Sequence, residues 1–535
     1  MSIEPTNIDS SILSPRTLPA LLQEQFVRKP ESIAIGTSDL ATTLTYRQLD
    51  RAVRLLAEQL AVYGLRPGHR VGLIGDNSME FVVTLLATLS IGATVAPLNP
   101  KLSEEELGTR LGQLNVSALL MDRHVANGMT KNLLTGKRSA WTIASQGKEE
   151  SFAVTVTGES GEAPEPGSVA RKEVVIQSED VALLMFTGGT TGPAKLVPLT
   201  HRNLVASAGH IASTYRLSAQ DATLLVMPLF HGHGLIGGLL STLASGGAAY
   251  VPSTGSFSAH LFWPDMIRVH GTWFTAVPTI HRILVSRAAH EYPGPAGVPL
   301  RFIRSCSAPL DDELALATAK TFHAPIIGAY GMTETSHQLA SNPLPSNGPN
   351  KASSVGPAIG VEVRIVDRQG VDLEAGEVGE IFVRGEILTP GYLDNPQANA
   401  SSFANGWFRT GDLGCKDDAG YIFVKGRLKE MINRGGEKIS PNDIDATLLT
   451  HPDVLEAASF GEADPVYGEN VQAAVILRLG TSATEDELKQ YCTARLSAFE
   501  VPVRIYVVSA LPRTAKGSVD RHALVTQFAP KQATA

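Results

Sequence analysis

This 535-residue chain has few cysteines and a small net charge. The first argues against a disulfide-rich protein, and the second against a protein that mainly binds nucleic acid. The three cysteines, Cys306, Cys415 and Cys492, are widely separated. This argues against a disulfide framework or a cysteine-based structural metal site and is typical of a reducing compartment. The formal charge is −8, and no run rich in lysine and arginine occurs. Nucleic acid is therefore not expected as the main partner, although a local basic pocket for phosphates is compatible with this charge.

Long apolar segments and targeting signals are missing as well. The most apolar window, residues 81–98, contains three threonines, Gly92 and Pro97. It predicts a buried helix that runs into a strand, and no membrane span. The first ten residues lack a basic region followed by an apolar core, and residues 531–535 do not match a peroxisomal Ser-Lys-Leu signal. We therefore expect a cytoplasmic protein.

Short apolar strands alternate with helical patterns through residues 45–120 and again through 223–327. In the first stretch the pattern predicts a helix at 46–63, a strand at 70–74 and a helix at 78–89. Such alternation is typical of α/β layers around largely parallel sheets. The expected fold class is therefore α/β, with a large N-terminal domain of layered sheets.

The pattern changes after about Gly356. Short alternating strands separated by Gly, Asp and Asn turns run through residues 361–425, for example at 362–366 and 379–383. They predict a small, mainly antiparallel β-subdomain that belongs to the N-terminal domain.

A compact α+β module follows. It is predicted from a helix at 441–449, a strand at 472–477 and a helix at 485–496. The boundary falls near residues 426–429. We therefore predict two domains, one at residues 1–428 and a smaller one at 429–535.

A glycine- and threonine-rich segment, residues 186–195, follows the apolar run at 181–185. The run predicts a buried strand that leads into a flexible turn. Glycine N–H groups, threonine hydroxyls and Lys195 would together form a cradle for phosphate oxygens. The segment lacks the spacing of a Walker loop, and by itself such a turn is equally compatible with a plain loop.

Further polar segments lie downstream. Residues 328–334, Gly-Ala-Tyr-Gly-Met-Thr-Glu, follow an apolar strand, so an aromatic ring, a threonine and a carboxylate there could stack a base, bind a phosphate oxygen and hold Mg²⁺. Residues 407–413 place Asp412 in a turn, and Gly426-Arg427 and the loop at 433–440 come next. Each has a structural alternative: Asp412 as a turn former, Arg427 as a surface salt bridge, and Gly435-Gly436 as a hairpin.

Taken in this order, the segments resemble the adenylate-forming superfamily, which includes acyl-CoA synthetases, nonribosomal-peptide adenylation domains and luciferases. The resemblance covers nearly the whole chain and is greatest to the oxalate–CoA ligase group. The segments that support it lie at residues 228–235, 262–266, 275–281, 300–308 and 341–345.

The resemblance implies a role for each matching residue, with ATP, Mg²⁺ and coenzyme A as cofactors. The residues implied to hold the β- and γ-phosphates of ATP are Thr187, Thr190, Thr191 and Lys195. Tyr330 would stack on adenine, Thr333 would contact the α-phosphate and Glu334 would ligate Mg²⁺. Asp412 and Arg427 would bind the ribose hydroxyls. Lys429 would be the hinge of a mobile C-terminal domain, and the residues implied to shape the pantetheine channel are Gly435, Gly436, Glu437 and Lys438.

For the acyl pocket, the resemblance points to Ser307 and His337, with His231 and His233 nearby. A small dicarboxylate would leave one carboxylate buried and in need of cationic or hydroxyl partners. His337 could supply the charge and Ser307 a hydrogen bond. In the alternative interpretation these histidines are structural, and His231 only gates the pocket wall.

The chain departs from the family pattern in two ATP-handling motifs. In residues 511–521 the adenylation lysine should stand at Ser518, and Lys516 lies two residues earlier, about 6–7 Å away along an extended chain. In the phosphate loop, Gly188, Ala194 and Leu196 replace serine, proline and glycine.

Two hypotheses follow. In the first, the chain is an ATP-dependent ligase that forms an acyl-adenylate from a small carboxylic acid and transfers it to coenzyme A. Lys516, Thr333, Glu334 and His231 are then the catalytic candidates. In the second, adenylation is impaired, and the chain passes an acyl group to an amine or carrier protein or serves as a non-catalytic nucleotide-binding partner. The intact hinge, ribose and coenzyme A residues favour the first.

Overall fold

The computed structural model describes residues 17–128, 139–148, 151–158, 175–187, 194–513 and 519–528. Within these residues the strands form four sheets, and two of them are large and mostly parallel. The expected α/β class with layered sheets is confirmed. In the same residues, no helix has both the length and the apolar character needed to cross a membrane.

The first large sheet has seven strands and carries the phosphate segment at one edge. Its central strands are parallel, and its two outermost pairs are antiparallel. Two of the central strands, Thr94–Leu98 and Ala118–Asp122, are buried at every position, as parallel strands covered on both faces must be. In spatial order the strands are Ala153–Thr157, Ser139–Gln146, Ala118–Asp122, Arg70–Ile74, Thr94–Leu98, Val181–Phe186 and Leu196–Thr200.

The second large sheet has eight strands and carries the acyl-pocket segments. It is parallel except for the antiparallel pair at each edge. In spatial order the strands are Ala340–Ser341, Ile326–Tyr330, Phe302–Ser305, Trp273–Ala276, Ala222–Leu224, Ala248–Val251, Ile33–Thr37 and Thr43–Thr45.

The third sheet is antiparallel throughout and confirms the predicted β-subdomain. Its strands are Gly356–Pro357, Tyr421–Arg427, Trp407–Lys416, Gly379–Gly385 and Val361–Val366, with Phe403–Ala404 paired to Trp407–Lys416. The fourth sheet lies in the C-terminal region and mixes antiparallel pairs with one parallel pair. Its strands are Glu437–Ile439, Ile432–Arg434, Gly468–Leu477, Val454–Asp464 and Arg504–Val507.

Helices cover the sheets. In chain order they are Leu18–Arg28, Tyr46–Val62, Met79–Ser90, Glu104–Leu114, Arg123–Gly128, His201–Thr214, Gly232–Gly234, the π-helix Leu235–Leu240, Ser241–Ala244, Ala259–Arg268, Pro278–Glu291, Asp312–Phe322, the 3₁₀-helix Thr333–Thr335, Pro396–Ser402, Pro441–Leu449, Glu485–Thr493 and Arg521–Phe528.

Most predicted elements lie where the sequence placed them. Helix Tyr46–Val62 begins with a capping box, in which the Thr45 side chain accepts a hydrogen bond from the Gln48 N–H and the Gln48 side chain bonds back to Thr45. The helix predicted at 485–496 ends earlier, at Thr493, and the strand predicted at 472–477 begins earlier, at Gly468. That strand is longer because its ladder with Val454–Asp464 continues through polar residues that break the apolar alternation.

Asp122 is buried at the end of a central strand, where its Oδ2 accepts a hydrogen bond from the Asp76 N–H at 3.1 Å. Burial, together with the negative charges of Glu80 and Asp76, raises the pKa of Asp122 to about 7. The folded state therefore holds this proton more tightly than the unfolded state does. Asp122 therefore lowers the free energy of unfolding by an amount that grows as the pH rises from about 4 through 7.

Asp122→Asn is therefore expected to stabilise the fold more at pH 8 than at pH 5. An asparagine Oδ1 can still accept from the Asp76 N–H, and it carries no charge to bury. We expect a gain in the free energy of unfolding of about 1–4 kcal/mol at pH 8. Denaturant titrations at the two pH values measure it, with Asp418→Asn at an exposed position as the control. An equal gain at both pH values would contradict the raised pKa.

Candidate active site

The ends of the predicted phosphate loop face each other across an antiparallel hairpin. Phe186 lies opposite Leu196, the Thr187 N–H donates to the Lys195 carbonyl oxygen at 2.9 Å, and the Lys195 N–H donates to Thr187 Oγ1 at 3.0 Å. The buried strand predicted at 181–185 is confirmed as Val181–Phe186. Thr190 and Thr191, predicted to bind phosphate, lie outside the described residues.

Lys195 belongs to a small polar cluster with Glu334 and Tyr392. The Lys195 ammonium nitrogen lies 4.2 Å from the centre of the Tyr392 ring, and the Tyr392 hydroxyl donates to Glu334 Oε1 at 2.8 Å. Burial lowers the pKa of Lys195, while Glu334 opposes the shift and Lys429 adds to it. The cluster therefore brings the predicted phosphate lysine close to the predicted metal ligand, and the positive charge of the predicted hinge lysine, Lys429, acts on Lys195.

A tight turn at residues 331–337 connects this cluster to His337, one of the predicted acyl residues. Gly331 is required there because a Cβ would lie 1.6 Å from the His337 carbonyl oxygen. The turn contains the 3₁₀-helix Thr333–Thr335 and then His337, whose φ of +90° is unusual for a residue with a side chain. Thr333 and Glu334 thus lie at one end of a short, constrained segment and His337 at the other.

Three predicted nucleotide residues meet at the β-subdomain. The Tyr330 hydroxyl donates to Asp412 Oδ2 at 2.5 Å, and Arg427 Nε lies 3.5 Å from Asp412 Oδ1. Burial raises the pKa of Asp412 and Arg427 opposes this; burial and Asp412 raise the pKa of Tyr330. The expectation that Asp412 lies in a turn is wrong, because it lies within strand Trp407–Lys416, directly opposite Arg427 on the next strand.

The residues around Glu334 fit a magnesium ion that is shared with a nucleotide. The described residues contain no group of three or more His, Cys, Asp or Glu side chains that could hold a metal alone. Mg²⁺ usually keeps several waters and binds through one or two carboxylates together with substrate phosphates. Glu334, buried beside the phosphate hairpin, provides such a single carboxylate.

The predicted acyl residues also come together. His233 Nδ1 lies 3.0 Å from Ser307 Oγ, and the rings of His233 and His337 stack with their centres 5.0 Å apart. Ser307 has a φ of +72°, a strained conformation of the kind that clusters at functional sites. His231 precedes the helix Gly232–Gly234 and packs its ring against Phe230, with the centres 4.6 Å apart.

A buried arginine that is not among the predicted site residues lies next to these histidines. Arg304 is 0% exposed, and none of the ion pairs within the described ranges involves it. Its Nη2 donates to His337 Nε2 at 2.9 Å and its Nη1 to Thr275 Oγ1 at 2.9 Å. Further acceptors of its hydrogen bonds include Gln338 Oε1 and the Tyr215 hydroxyl. The available signal was a charged residue that directly follows two apolar residues, in the strand Phe302–Ser305.

Arg304 changes the expected charge of the pocket. A guanidinium has donors and no acceptor, so His337 Nε2 must accept and carries no proton in this arrangement. The permanent positive charge therefore belongs to Arg304 and not, as expected from the sequence, to His337.

A glycine allows the backbone to approach this pair closely. Gly237 lies in the π-helix Leu235–Leu240, an irregularity frequent at functional sites. A Cβ on Gly237 would lie 2.5 Å from His337 Nε2 and 3.3 Å from Arg304 Nη1. The backbone of the π-helix thus reaches the polar groups without a side chain between them.

The predicted pantetheine loop is a hairpin. Strands Ile432–Arg434 and Glu437–Ile439 are joined by Gly435 and Gly436, whose φ angles are +62° and +97°, as a two-residue hairpin turn requires. Within the described ranges, no hydrogen bond or ion pair connects Lys438 to the nucleotide residues. Lys516, the predicted catalytic lysine, lies outside the described residues.

Comparison with known families and proteins agrees with this arrangement. The family described as AMP-binding enzyme matches residues 22–393, and the AMP-binding enzyme C-terminal domain matches residues 443–518. The chain is 41% identical to the oxalate–CoA ligase of Arabidopsis thaliana over 96% of this chain and 99% of that protein. It is 36% identical to the oxalate–CoA ligase of Saccharomyces cerevisiae over 93% of this chain and 95% of that protein.

A solved structure shares the fold. The O-succinylbenzoate–coenzyme A synthetase of Bacillus subtilis, in complex with ATP and a magnesium ion, superposes with a TM-score of 0.81 at 29% identity. The match covers 96% of this chain and 100% of that one.

Proposed function

Because this chain belongs to the family of AMP-binding enzymes, we propose that it is an ATP-dependent acid–CoA ligase whose acid is a small dicarboxylate, with oxalate the first candidate. The acid carboxylate attacks the α-phosphorus of ATP and releases pyrophosphate. The thiol of coenzyme A then attacks the acyl carbon of the adenylate and releases AMP. The oxalate–CoA ligases that match over nearly their whole length support the choice of acid.

The observation that carries this proposal is the turn at residues 331–337. It joins a nucleotide end, with Thr333 and Glu334, to an acyl end, where His337 stacks on His233 beside Ser307. A small acid bound at the acyl end would hold its carboxylate near the phosphate hairpin. Proximity of this kind turns a bimolecular attack into an effectively unimolecular one.

Each residue of the nucleotide end has a proposed task. Thr187, Thr190, Thr191 and Lys195 hold the phosphates, Tyr330 contacts adenine, and Asp412 and Arg427 bind the ribose. Thr333 contacts the α-phosphate, and Glu334 is the protein ligand of Mg²⁺. When bound, Mg²⁺ neutralises the negative charge that develops on the phosphates. Lys195 adds a second positive charge on the same side.

We propose that the acyl end selects for a second carboxylate. Ser307, His233 and His337 supply hydrogen-bonding groups around Arg304, and His231 lines the wall. A buried cation without an anionic partner is costly, and a substrate with a second negative charge would offset that cost. A monocarboxylate would leave the charge uncompensated.

The chain is proposed to work as two domains, residues 1–428 and 429–535, with Lys429 as the hinge between two half-reactions. Rotation would bring Lys516 to the phosphates for adenylation and the hairpin with Gly436 and Lys438 to the site for thioester formation. We also propose a cytoplasmic location, since all three cysteines are free thiols. Transfer to an amine or carrier protein is not favoured, because the oxalate–CoA ligases named above use coenzyme A.

The test is a thioester assay over a panel of acids with ATP, Mg²⁺ and coenzyme A. We expect AMP and acyl-CoA to form with oxalate or another small diacid, and kcat/KM for acetate to be at least about a hundredfold lower, which corresponds to about 3 kcal/mol of discrimination. The matched variant Ser307→Ala should raise the KM for the diacid and leave that for acetate nearly unchanged. Equal activity with mono- and diacids would contradict the diacid proposal, and no thioester with any acid would overturn the ligase proposal.

A further inference from the structure

Arg304 begins a chain of buried hydrogen bonds that ends at an exposed hydroxyl. The chain runs from Arg304 Nη1 to Thr275 Oγ1 at 2.9 Å, from Thr275 Oγ1 to His233 Nε2 at 2.6 Å, and from His233 Nδ1 to Ser307 Oγ at 3.0 Å. Arg304, Thr275 and His233 are buried, whereas Ser307 is exposed. This chain of hydrogen bonds, which we call the relay, therefore connects the permanent buried charge of Arg304 to an exposed hydroxyl of the proposed acyl site.

The donor and acceptor at each step follow from the first one. Arg304 can only donate, so Thr275 Oγ1 accepts from it. Apart from Arg304, the Thr275 hydroxyl has one side-chain hydrogen-bond partner among the described residues, His233 Nε2. A buried hydroxyl proton without an acceptor is costly, so Thr275 donates to His233 Nε2.

The protonation state of His233 sets the direction of its hydrogen bond to Ser307. Burial above all, and then the nearby His337 and Arg304, lowers the pKa of His233 well below its ordinary value, so the ring is neutral. A neutral imidazole whose Nε2 accepts carries its proton on Nδ1. His233 Nδ1 therefore donates to Ser307 Oγ, and the hydroxyl proton of Ser307 is directed to a further acceptor.

We propose that Arg304 is a positioning residue that fixes this relay in one direction and so makes Ser307 a hydrogen-bond donor to the second carboxylate of the acid. This inference rests on the proposed function. A carboxylate only accepts hydrogen bonds, so a relay in the opposite direction would present a lone pair of Ser307 to it and repel it. Chains of hydrogen bonds also polarise one another, so the charge of Arg304 strengthens the terminal donor.

The tautomer of His233 is the direct test. In wild-type protein labelled with ¹⁵N-histidine, the His233 signals are identified by their loss in His233→Gln. At pH 7 we expect a protonated Nδ1 and an unprotonated Nε2 for His233. A protonated Nε2, on a neutral or a charged ring, would overturn the relay. This measurement needs no substrate, so it decides the relay even if no diacid is activated and the proposed function fails.

A matched pair of variants at Thr275 tests the consequence for the substrate. Thr275→Val keeps the shape and removes the hydroxyl, whereas Thr275→Ser keeps the hydroxyl. We expect Thr275→Val to raise the KM for the diacid at least about tenfold, the size of one lost hydrogen bond to a charged group, and to change kcat less than about threefold. Thr275→Ser should restore the KM to within about threefold of wild type.

The dissociation constant for ATP shows whether each variant is folded, because the side-chain hydrogen bonds of Thr275 in the described part of the chain go to His233 and Arg304 and not to a predicted nucleotide residue. This dissociation constant should be the same for the wild type and for both Thr275 variants. If Thr275→Val and Thr275→Ser raise the KM for the diacid equally while ATP binding is intact, Thr275 serves only in packing and the proposal fails. If Thr275→Val does not fold, the wild-type tautomer alone decides.

Discussion

Glu334→Gln is expected to lower acid-dependent ATP–pyrophosphate exchange by about 10²–10³-fold, the usual effect of removing one preorganised charge from a transition state. The glutamine can still accept the hydrogen bond of Tyr392 through Oε1, so the cluster should keep its shape. What is lost is the carboxylate proposed to hold Mg²⁺, together with the negative charge that opposes the lowering of the Lys195 pKa by burial. The exchange rate should be measured across a range of Mg²⁺ concentrations, since a weakened metal site shifts that dependence to higher concentrations.

Two controls separate this effect from a general loss of function. Glu105→Gln changes an exposed glutamate on helix Glu104–Leu114 and should leave exchange near the wild-type rate. Thioester formation from a chemically prepared acyl-adenylate does not require the ATP phosphates, so Glu334→Gln should slow that step far less. Equal loss in both half-reactions would show that Glu334 supports the fold of the site and not phosphate chemistry.

The elements that hold the site were predictable because their signals are local. The apolar run at 181–185 predicts a strand whatever surrounds it, and Val181–Phe186 is that strand. Leu196 departs from the family motif, yet it is buried in a core cluster with Leu184 and begins strand Leu196–Thr200. This departure is therefore accommodated by packing.

The residues that the sequence did not reveal act through long-range contacts. Tyr392 follows the dipeptide Pro390-Gly391, and only the folded chain brings its hydroxyl to Glu334. Arg304 lies in a strand that is buried at every position, and its partner His337 comes from the turn after the neighbouring strand. Asp412 is expected in a turn from the sequence, but it lies inside strand Trp407–Lys416, where the preceding Gly411 has a turn-like φ of +71°. The pattern of residues along one sequence does not show which distant residues come into contact.

Lys516→Ala is expected to reduce pyrophosphate exchange at least about 10²-fold if Lys516 takes the place of the lysine missing at Ser518. Lysine is the residue type that can bring a mobile positive charge to the transferring phosphate. Thioester formation from the prepared acyl-adenylate should persist in this variant, because the proposed domain rotation removes the lysine before that step. Lys101→Ala, at an exposed lysine of the N-terminal region, is the control.

Ser518→Lys completes the comparison, because it puts a lysine at the family position. If Lys516 is the catalytic lysine, adding Ser518→Lys to the wild type should change the exchange rate by less than about tenfold. Adding Ser518→Lys to the Lys516→Ala variant should raise its exchange rate by more than about tenfold. If wild type exchanges with no acid and Ser518→Lys does, the natural chain is impaired in adenylation and the ligase hypothesis must be dropped. The intact contacts of Tyr330, Asp412 and Arg427 predict that all of these variants still bind ATP, so the comparison reports catalysis and not binding.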